Sequence, residues 1–291
     1  MSQKILQKLE KFKALTDENK SSHWNYYLNN KSNYKNPYEA LGFGAFRRKN
    51  ILGNILHKIL SRLIFNKNIF SSESYKKYQN VFNKSKRQID VDTIRHIFTF
   101  ELLKKKIIPS KLCVIGDGKA NFIIGSLITY PESTIISINL TETLINDYMV
   151  LKEMNLIEDN QIQVIEDINN VIDKNKKLVL VPSHLKNFLI NKNIELFVNI
   201  ASFQEMSMNE ISNYIKVIES NKGLFYCCNR EYKKLIGGEE LDLNFFPFGN
   251  GKKLFYENCE WHQKVYSYKY PFIKKYDGNH IHCLIDYKNT I

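Results

Sequence analysis

From about residue 90 onward the chain alternates between short, continuously apolar runs and amphipathic helical stretches, and this pattern constrains the fold more than any other feature. The runs lie at 112–115, 134–138, 178–181, 196–200 and 224–227. Each has the length of one strand and lacks the in–out alternation of a half-exposed sheet, so each is expected to be covered on both faces. Helical patterns fall between them, notably at 142–154 and 208–219, the latter opened by Ser207 and Glu210 at capping-box spacing. Asp92 or Thr93 can cap a further helix running to about 106, with Ile94, Ile97, Phe98, Leu102 and Leu103 on its buried side. Repeated strand–helix units of this kind give an α/β, doubly wound, mostly parallel sheet, expected over 91–291.

The tail departs from the pattern. Segments 253–257 and 280–286 read as strands with no helix between them, which predicts an antiparallel closing strand at the end of the sheet. Tyr266, Tyr268, Tyr270 and Phe272 alternate, as along one strand.

Residues 1–90 read as a helical N-terminal module, expected to serve as an acceptor-binding or lid element. Ile5, Leu9, Phe12 and Leu15 have helical spacing, and so do Ile51, Ile55, Ile59 and Leu63 with Leu52, Leu56, Leu60 and Ile64 beside them. The second helix is flanked by Arg47, Arg48, Lys49, Lys58, Arg62 and Lys67. Its broad apolar face can pack on the main domain or lie on an anionic membrane. The polar, lysine-rich stretch 71–87 reads as a linker.

The formal charge of +12 favours an anionic partner. No apolar leader core precedes a cleavage site, and the apolar runs are too short to span a bilayer, so a cytoplasmic protein is expected, with peripheral contact at the inner membrane face. The five cysteines form no CxxC pair and read as reduced thiols. His280 and His282 share a strand face, but no carboxylate cluster accompanies them, and no metal site is expected.

One turn carries chemistry. Residues 113–121, CVIGDGKAN, take an apolar strand into a glycine turn and then a helix. Gly116 and Gly118 permit positive φ and close backbone approach, and the helix N-terminus offers free N–H groups to a phosphate or to the carboxylate of a methionine moiety. The dinucleotide fingerprint fits poorly, because Asn121 stands where its third glycine belongs and Asn139 ends the second strand in place of a ribose-binding acid. A methyltransferase loop accepts Ala120 at the third position, although Val114 and Asn139 replace its usual acids.

Taken in order, VIGDGKANF, NIASFQEM and FYCCNR with Lys233 shortly after resemble a bacterial family of sugar O-methyltransferases, and His23-Trp24 resembles that family's N-terminal segment. The likeness covers roughly 20–285 and is strongest over 111–235. It implies the class I Rossmann-like fold, S-adenosylmethionine as methyl donor with S-adenosylhomocysteine as product, and a sugar or glycan acceptor. It implies a cofactor site built from Gly116, Asp117, Gly118, Asn121, Asn139, Leu140, Ser183, Asn199 and Ala201.

A sugar hydroxyl must lose its proton as it attacks, so a general base is needed within hydrogen-bond reach. Glu205, at the end of the fourth strand, is the first candidate, and His184 and His262 are its rivals. Gln204, Asn229 and Arg230 are expected to meet the acceptor, with Arg47 and Arg48 available to an anionic or lipid-linked one. Nucleic acid is not an expected partner, since strand four lacks an Asn-Pro-Pro-Tyr loop and no Pro-Cys nucleophile is present. An RNA or DNA methyltransferase, or a nonenzymatic binding module with a degenerate cofactor loop, remains the alternative. Oligomeric state is open.

Overall fold

The computed structural model describes residues 2–13, 21–31, 45–46, 51–85, 87–267 and 269–288. Its centre is an eight-stranded sheet made of β1 (Lys111–Ile115), β2 (Thr134–Asn139), β3 (Ile162–Val164), β4 (Leu178–Pro182), β5 (Leu196–Ile200), β6 (Leu224–Arg230), β7 (Lys252–Asn258) and β8 (His280–Asp286). The spatial order is β7-β8-β6-β5-β1-β2-β4-β3. All pairings from β3 through to β6 are parallel, while β8 runs antiparallel between β6 and β7. This is the doubly wound sheet with an antiparallel C-terminal strand that the sequence pattern predicts.

Successive strand residues feed two cores. Leu112, Val114, Val198, Tyr226 and Cys228 join one, and Cys113, Ile115, Phe197, Phe225 and Cys227 join the other. Period-two alternation thus survives inside strands that look uniformly apolar, because both faces are dry.

Eight α-helices accompany the sheet among the described residues: α1 (Ser2–Glu10), α2 (Ser22–Lys31), α3 (Ile51–Ile64), α4 (Glu73–Asn83), α5 (Val91–Leu103), α6 (Asn121–Thr129), α7 (Thr141–Glu153) and α8 (Met208–Ser220). The cap of α5 is Asp90, not Asp92 or Thr93: its carboxylate accepts from the Thr93 backbone N at 2.9 Å and from Thr93 Oγ1 at 2.8 Å. Ser207 caps α8 as its spacing predicts, accepting from Glu210 N at 3.2 Å.

The expected linker at 71–87 is largely helix α4. Tyr78 and Phe82, four residues apart, are buried against the core while Lys76, Lys77, Gln79 and Asn80 are exposed, so the apolar stripe is too narrow to stand out in a polar composition. The aromatic tail is also not one long strand. Lys264–Tyr266 pairs with Ile273–Lys275 as a short hairpin, and Tyr270 at its tip is exposed; Tyr268 lies outside the described residues.

Helix α1 packs on α7 and β3, with Ile5 and Leu9 in the core. Helix α3 turns His57, Leu60 and Ser61 inward, where His57 Nε2 bonds the Ile89 carbonyl at 2.7 Å, and leaves Ile55, Ile59 and Leu63 more than half exposed. No helix among the described residues is long and apolar enough to cross a membrane.

Candidate functional site

After β1 and β2 the chain extends the sheet in one direction, then returns past β1 to place β5 on its other side. The helices that follow β1 and β5 therefore lie on opposite faces of the sheet, and the carboxyl ends of these two strands are where ligands of such sheets bind. A narrow recess occupies that place, lined by Gly116, Asp117, Gly118, Val198, Ile200 and His96 among others.

The glycine turn is tight for an identifiable reason. Gly116 has φ +74°, and a Cβ on it would stand 1.8 Å from Ser202 Oγ on the loop after β5. Lys119 and Ala120 also take positive φ, a backbone that costs an L-residue roughly 1–2 kcal/mol. The Asp117 carboxylate caps α6 by accepting from Ile123 N at 2.8 Å, and Asp147 accepts from Ala120 N at 2.6 Å. Burial raises Asp117 to about 6 and pushes Asp147 well above the carboxyl range, the neighbouring Asp117 charge adding to the rise. Arg87, fully buried, supplies compensating positive charge to both. His96, across the recess, is driven down to about 3 by burial and then by Arg95, so its imidazole is neutral.

Several expected cofactor contacts are otherwise engaged. Asn139 donates from Nδ2 to the Asp117 carbonyl and accepts Leu140 N at 2.9 Å, so both ends of its amide lock the turn, and the ribose-binding role expected of it does not fit this geometry. Asn121 is buried with Oδ1 3.3 Å from Thr93 Oγ1, which places it in the α5–α6 interface. Asn199 is a brace: Nδ2 donates to the Ile115 carbonyl at 3.0 Å, while Oδ1 accepts from Phe203 N and from Asn229 Nδ2. Ala201 takes φ +58° to turn the chain beside it. Leu140 is half-buried ahead of α7. At the end of β4, Ser183 Oγ and His184 Nδ1 are buried without a hydrogen-bond partner.

The residues present fit S-adenosylmethionine at its methionine end. The recess lined by Gly116, Asp117, Gly118 and His96 offers an anionic Asp117 to an ammonium group and the imidazole of His96 to a carboxylate, a suitable donor set. Ser183 Oγ and His184 Nδ1, buried at the end of β4 with no hydrogen-bond partner among the described residues, could serve the remainder of the cofactor.

On the same carboxyl edge, Glu205 ends the short 3-10 turn Phe203–Glu205. Its carboxylate meets Lys233 Nζ at 3.0 Å and His23 Nε2 at 3.5 Å. Helix α2 is pinned there: Ser21 Oγ donates to the Glu205 carbonyl, and Ser22 Oγ bonds Glu239 Oε2 at 2.6 Å and accepts from Gly237 N at 3.1 Å. Burial lowers the His23 pKa, the Glu205 charge opposing that shift.

Gln204 and Asn229, expected at the acceptor, bond each other's loops instead. Gln204 N donates to Asn229 Oδ1 at 3.1 Å, and Gln204 Oε1 accepts from Arg230 N at 2.8 Å. Both residues are buried, and these bonds shape the edge of the sheet. Arg230 keeps a buried Nε without a hydrogen-bond partner while Nη1 pairs with Asp277 Oδ2 at 3.0 Å. His262 is buried beside Cys228 and Cys259, whereas Glu205 pairs with Lys233 and His23. Arg47 and Arg48 lie outside the described residues.

His96, Arg87, Asp147 and Ser202 escape a reading of motifs. His96 and Asp147 sit on the apolar sides of α5 and α7, where a lone polar residue was the only available signal.

No protein-family model and no curated protein matches the sequence. Among solved structures, the chain is similar to the methyltransferase domain of bacterial CtHen1 (12% identity over 68% of this chain and 100% of that one, TM-score 0.42). It is similar to an S-adenosylmethionine-dependent methyltransferase from Clostridium acetobutylicum (11% identity, 73% and 98% covered, TM-score 0.40). A third is a SAM-dependent methyltransferase from Aquifex aeolicus (9% identity, 74% and 99% covered, TM-score 0.41).

Proposed function

We propose that this chain is an S-adenosylmethionine-dependent O-methyltransferase acting in the cytoplasm on a sugar hydroxyl of a bacterial surface glycan or of its activated precursor. The observation that carries the reading is the placement of the recess at the glycine turn and the Glu205–His23–Lys233 cluster at one edge of the sheet. When bound, the cofactor supplies a sulfonium-activated methyl group.

The chain's own residues supply the rest. Asp117 and His96 hold the methionine end, and the Gly116–Ser202 contact fixes the distance between the two loops. Glu205 is already engaged by Lys233, so it orients His23, and the neutral His23 imidazole accepts the acceptor's hydroxyl proton as the oxygen attacks. Glu205 then stabilises the imidazolium that forms. This moves the base from Glu205 to the residue that Glu205 orients. Residues of α2 stand over the acceptor, the role expected of the N-terminal module. The Arg230 guanidinium, paired through Nη1 with exposed Asp277 at the same edge, could exchange that partner for an acidic sugar. The exposed ridge Ile55, Ile59 and Leu63, with exposed Lys58 and Arg62 beside it, suits an anionic membrane face carrying a lipid-linked acceptor.

Isothermal calorimetry of the purified, cofactor-free protein with S-adenosylmethionine and S-adenosylhomocysteine tests the reading. Absence of binding at high micromolar ligand sinks it. Transfer of labelled methyl to RNA, with none to nucleotide-linked or lipid-linked sugars, replaces the sugar acceptor with nucleic acid.

A further inference from the structure

Four of the five cysteines gather at β6 and β8, and the sheet separates them into two pairs. Cys227 and Cys283 face each other across the β6–β8 ladder in one core. Cys228 points into the opposite core, where Cys259 joins it. Cys259 belongs to a short turn, Cys259-Glu260-Trp261-His262, that follows β7 and folds back on the sheet. Cys259 N donates to the His280 carbonyl at 2.8 Å and His262 N to the Cys259 carbonyl at 3.0 Å, which puts residues 259 and 262 on the same side of the turn.

The consequence is a group of donors absent from any linear spacing. Cys228 Sγ, Cys259 Sγ and a ring nitrogen of His262 all lie within 4.8 Å of one another. Both thiols are fully buried and His262 is 6% exposed. His262 Nε2 is buried with no hydrogen-bond partner, a loss that protein interiors rarely tolerate. We propose that Cys228, Cys259 and His262 supply three ligands of a zinc site that ties the turn after β7 to the centre of the sheet.

The chemistry matches. Two thiolates and an imidazole are a soft donor set suited to zinc, whose zinc–sulfur bonds of ~2.3 Å place tetrahedral donors about 3.8 Å apart. A modest contraction of the present cluster reaches that spacing. Coordination releases the two thiol protons and leaves the imidazole neutral, so binding strengthens as pH rises. His282, directly across the ladder from Cys228, has Nδ1 at 3.1 Å from the Tyr226 hydroxyl and Nε2 at 3.4 Å from Glu257 Oε1, so it becomes a fourth donor only by leaving one of those partners. The absence of a CxxC pair misleads at the sequence level, because the two sulfurs come from β6 and from a turn 31 positions later. The site is independent of the identity of the methyl acceptor.

The test is zinc content of the tag-free full chain by plasma mass spectrometry, joined to cobalt reconstitution. The expected result is one equivalent of zinc, a thiolate-to-cobalt charge-transfer band in the cobalt form, and loss of both in Cys228→Ala and in Cys259→Ala. Cys227→Ala, on the other face, retains the metal. Should the alanine variants fail to fold, His262→Asn and the wild-type cobalt spectrum carry the same question. Substoichiometric zinc with no charge-transfer band in the wild type overturns the proposal. So does the loss of two titratable thiols to a Cys228–Cys259 disulfide in metal-free protein.

Discussion

The Cβ position of Gly116 lies 1.8 Å from Oγ and 2.6 Å from Cβ of Ser202, so the loops after β1 and β5 meet where only glycine fits. Gly116→Ala is expected to abolish binding of S-adenosylmethionine in calorimetry. Ser202→Gly in the same chain removes the clashing atoms and is expected to restore part of the affinity. The positive φ at 116 still penalises alanine. Two effects that simply add would show that the contact does not matter.

His23 and Glu205 form a base and its orienting partner. His23→Asn and Glu205→Gln are each expected to lower kcat by ~10²-fold or more with cofactor affinity unchanged. The double variant should lose little beyond either single one, because the two act as a unit. Near-wild-type turnover in His23→Asn, with a large loss in Glu205→Gln, returns the base to Glu205.

Stability should respond to acid in two stages. Burial holds His96 and His280 down to about 3 and His262 well below its usual value. The unfolded chain therefore binds protons first as pH falls below 6.5, and stability is lost toward pH 3. Asp92 and Asp117, raised to about 6 by burial, and Asp147, raised further, have the opposite sign: the folded state keeps their protons, which favours folding as pH falls from 6 to 4. Urea midpoints are expected to change little between pH 6 and 4 and to fall steeply below 4. Asp117→Asn removes one offset and should turn the plateau into a decline.

Lys186 and Glu210 pair at 3.0 Å with side chains only 9% exposed, joining the turn after β4 to α8. Lys186→Ala leaves the carboxylate buried alone and is expected to cost about 3–5 kcal/mol in chemical denaturation. Replacing both by methionine should cost far less. Equal losses would mean that packing, not charge, holds the contact.

Co-sedimentation with anionic vesicles tests the α3 ridge. Lys58→Glu with Arg62→Glu should release the wild-type protein's association without changing its melting temperature, since both side chains are exposed. Equal sedimentation of the variant and the wild type removes the membrane from the account.

The sequence by itself determined the sheet, the antiparallel ending and the glycine turn. Each is written in a local period or dipeptide: apolar runs such as 196–200, two glycines at 116 and 118, a serine three residues before Glu210. It did not determine helix α4, whose buried Tyr78 and Phe82 are diluted among lysines. It also could not say which polar groups are spent on one another. Asn139, Asn199, Gln204 and Asn229 read as ligand-facing amides, yet folding pairs them with backbone atoms up to 84 positions away. Only the tertiary structure decided that His23 reaches Glu205 across the N-terminal module, and that Cys228 meets Cys259 and His262. The reason is physical. Secondary structure follows from neighbours a few residues apart, whereas a site at a sheet edge is assembled by strand order, which brings distant segments together.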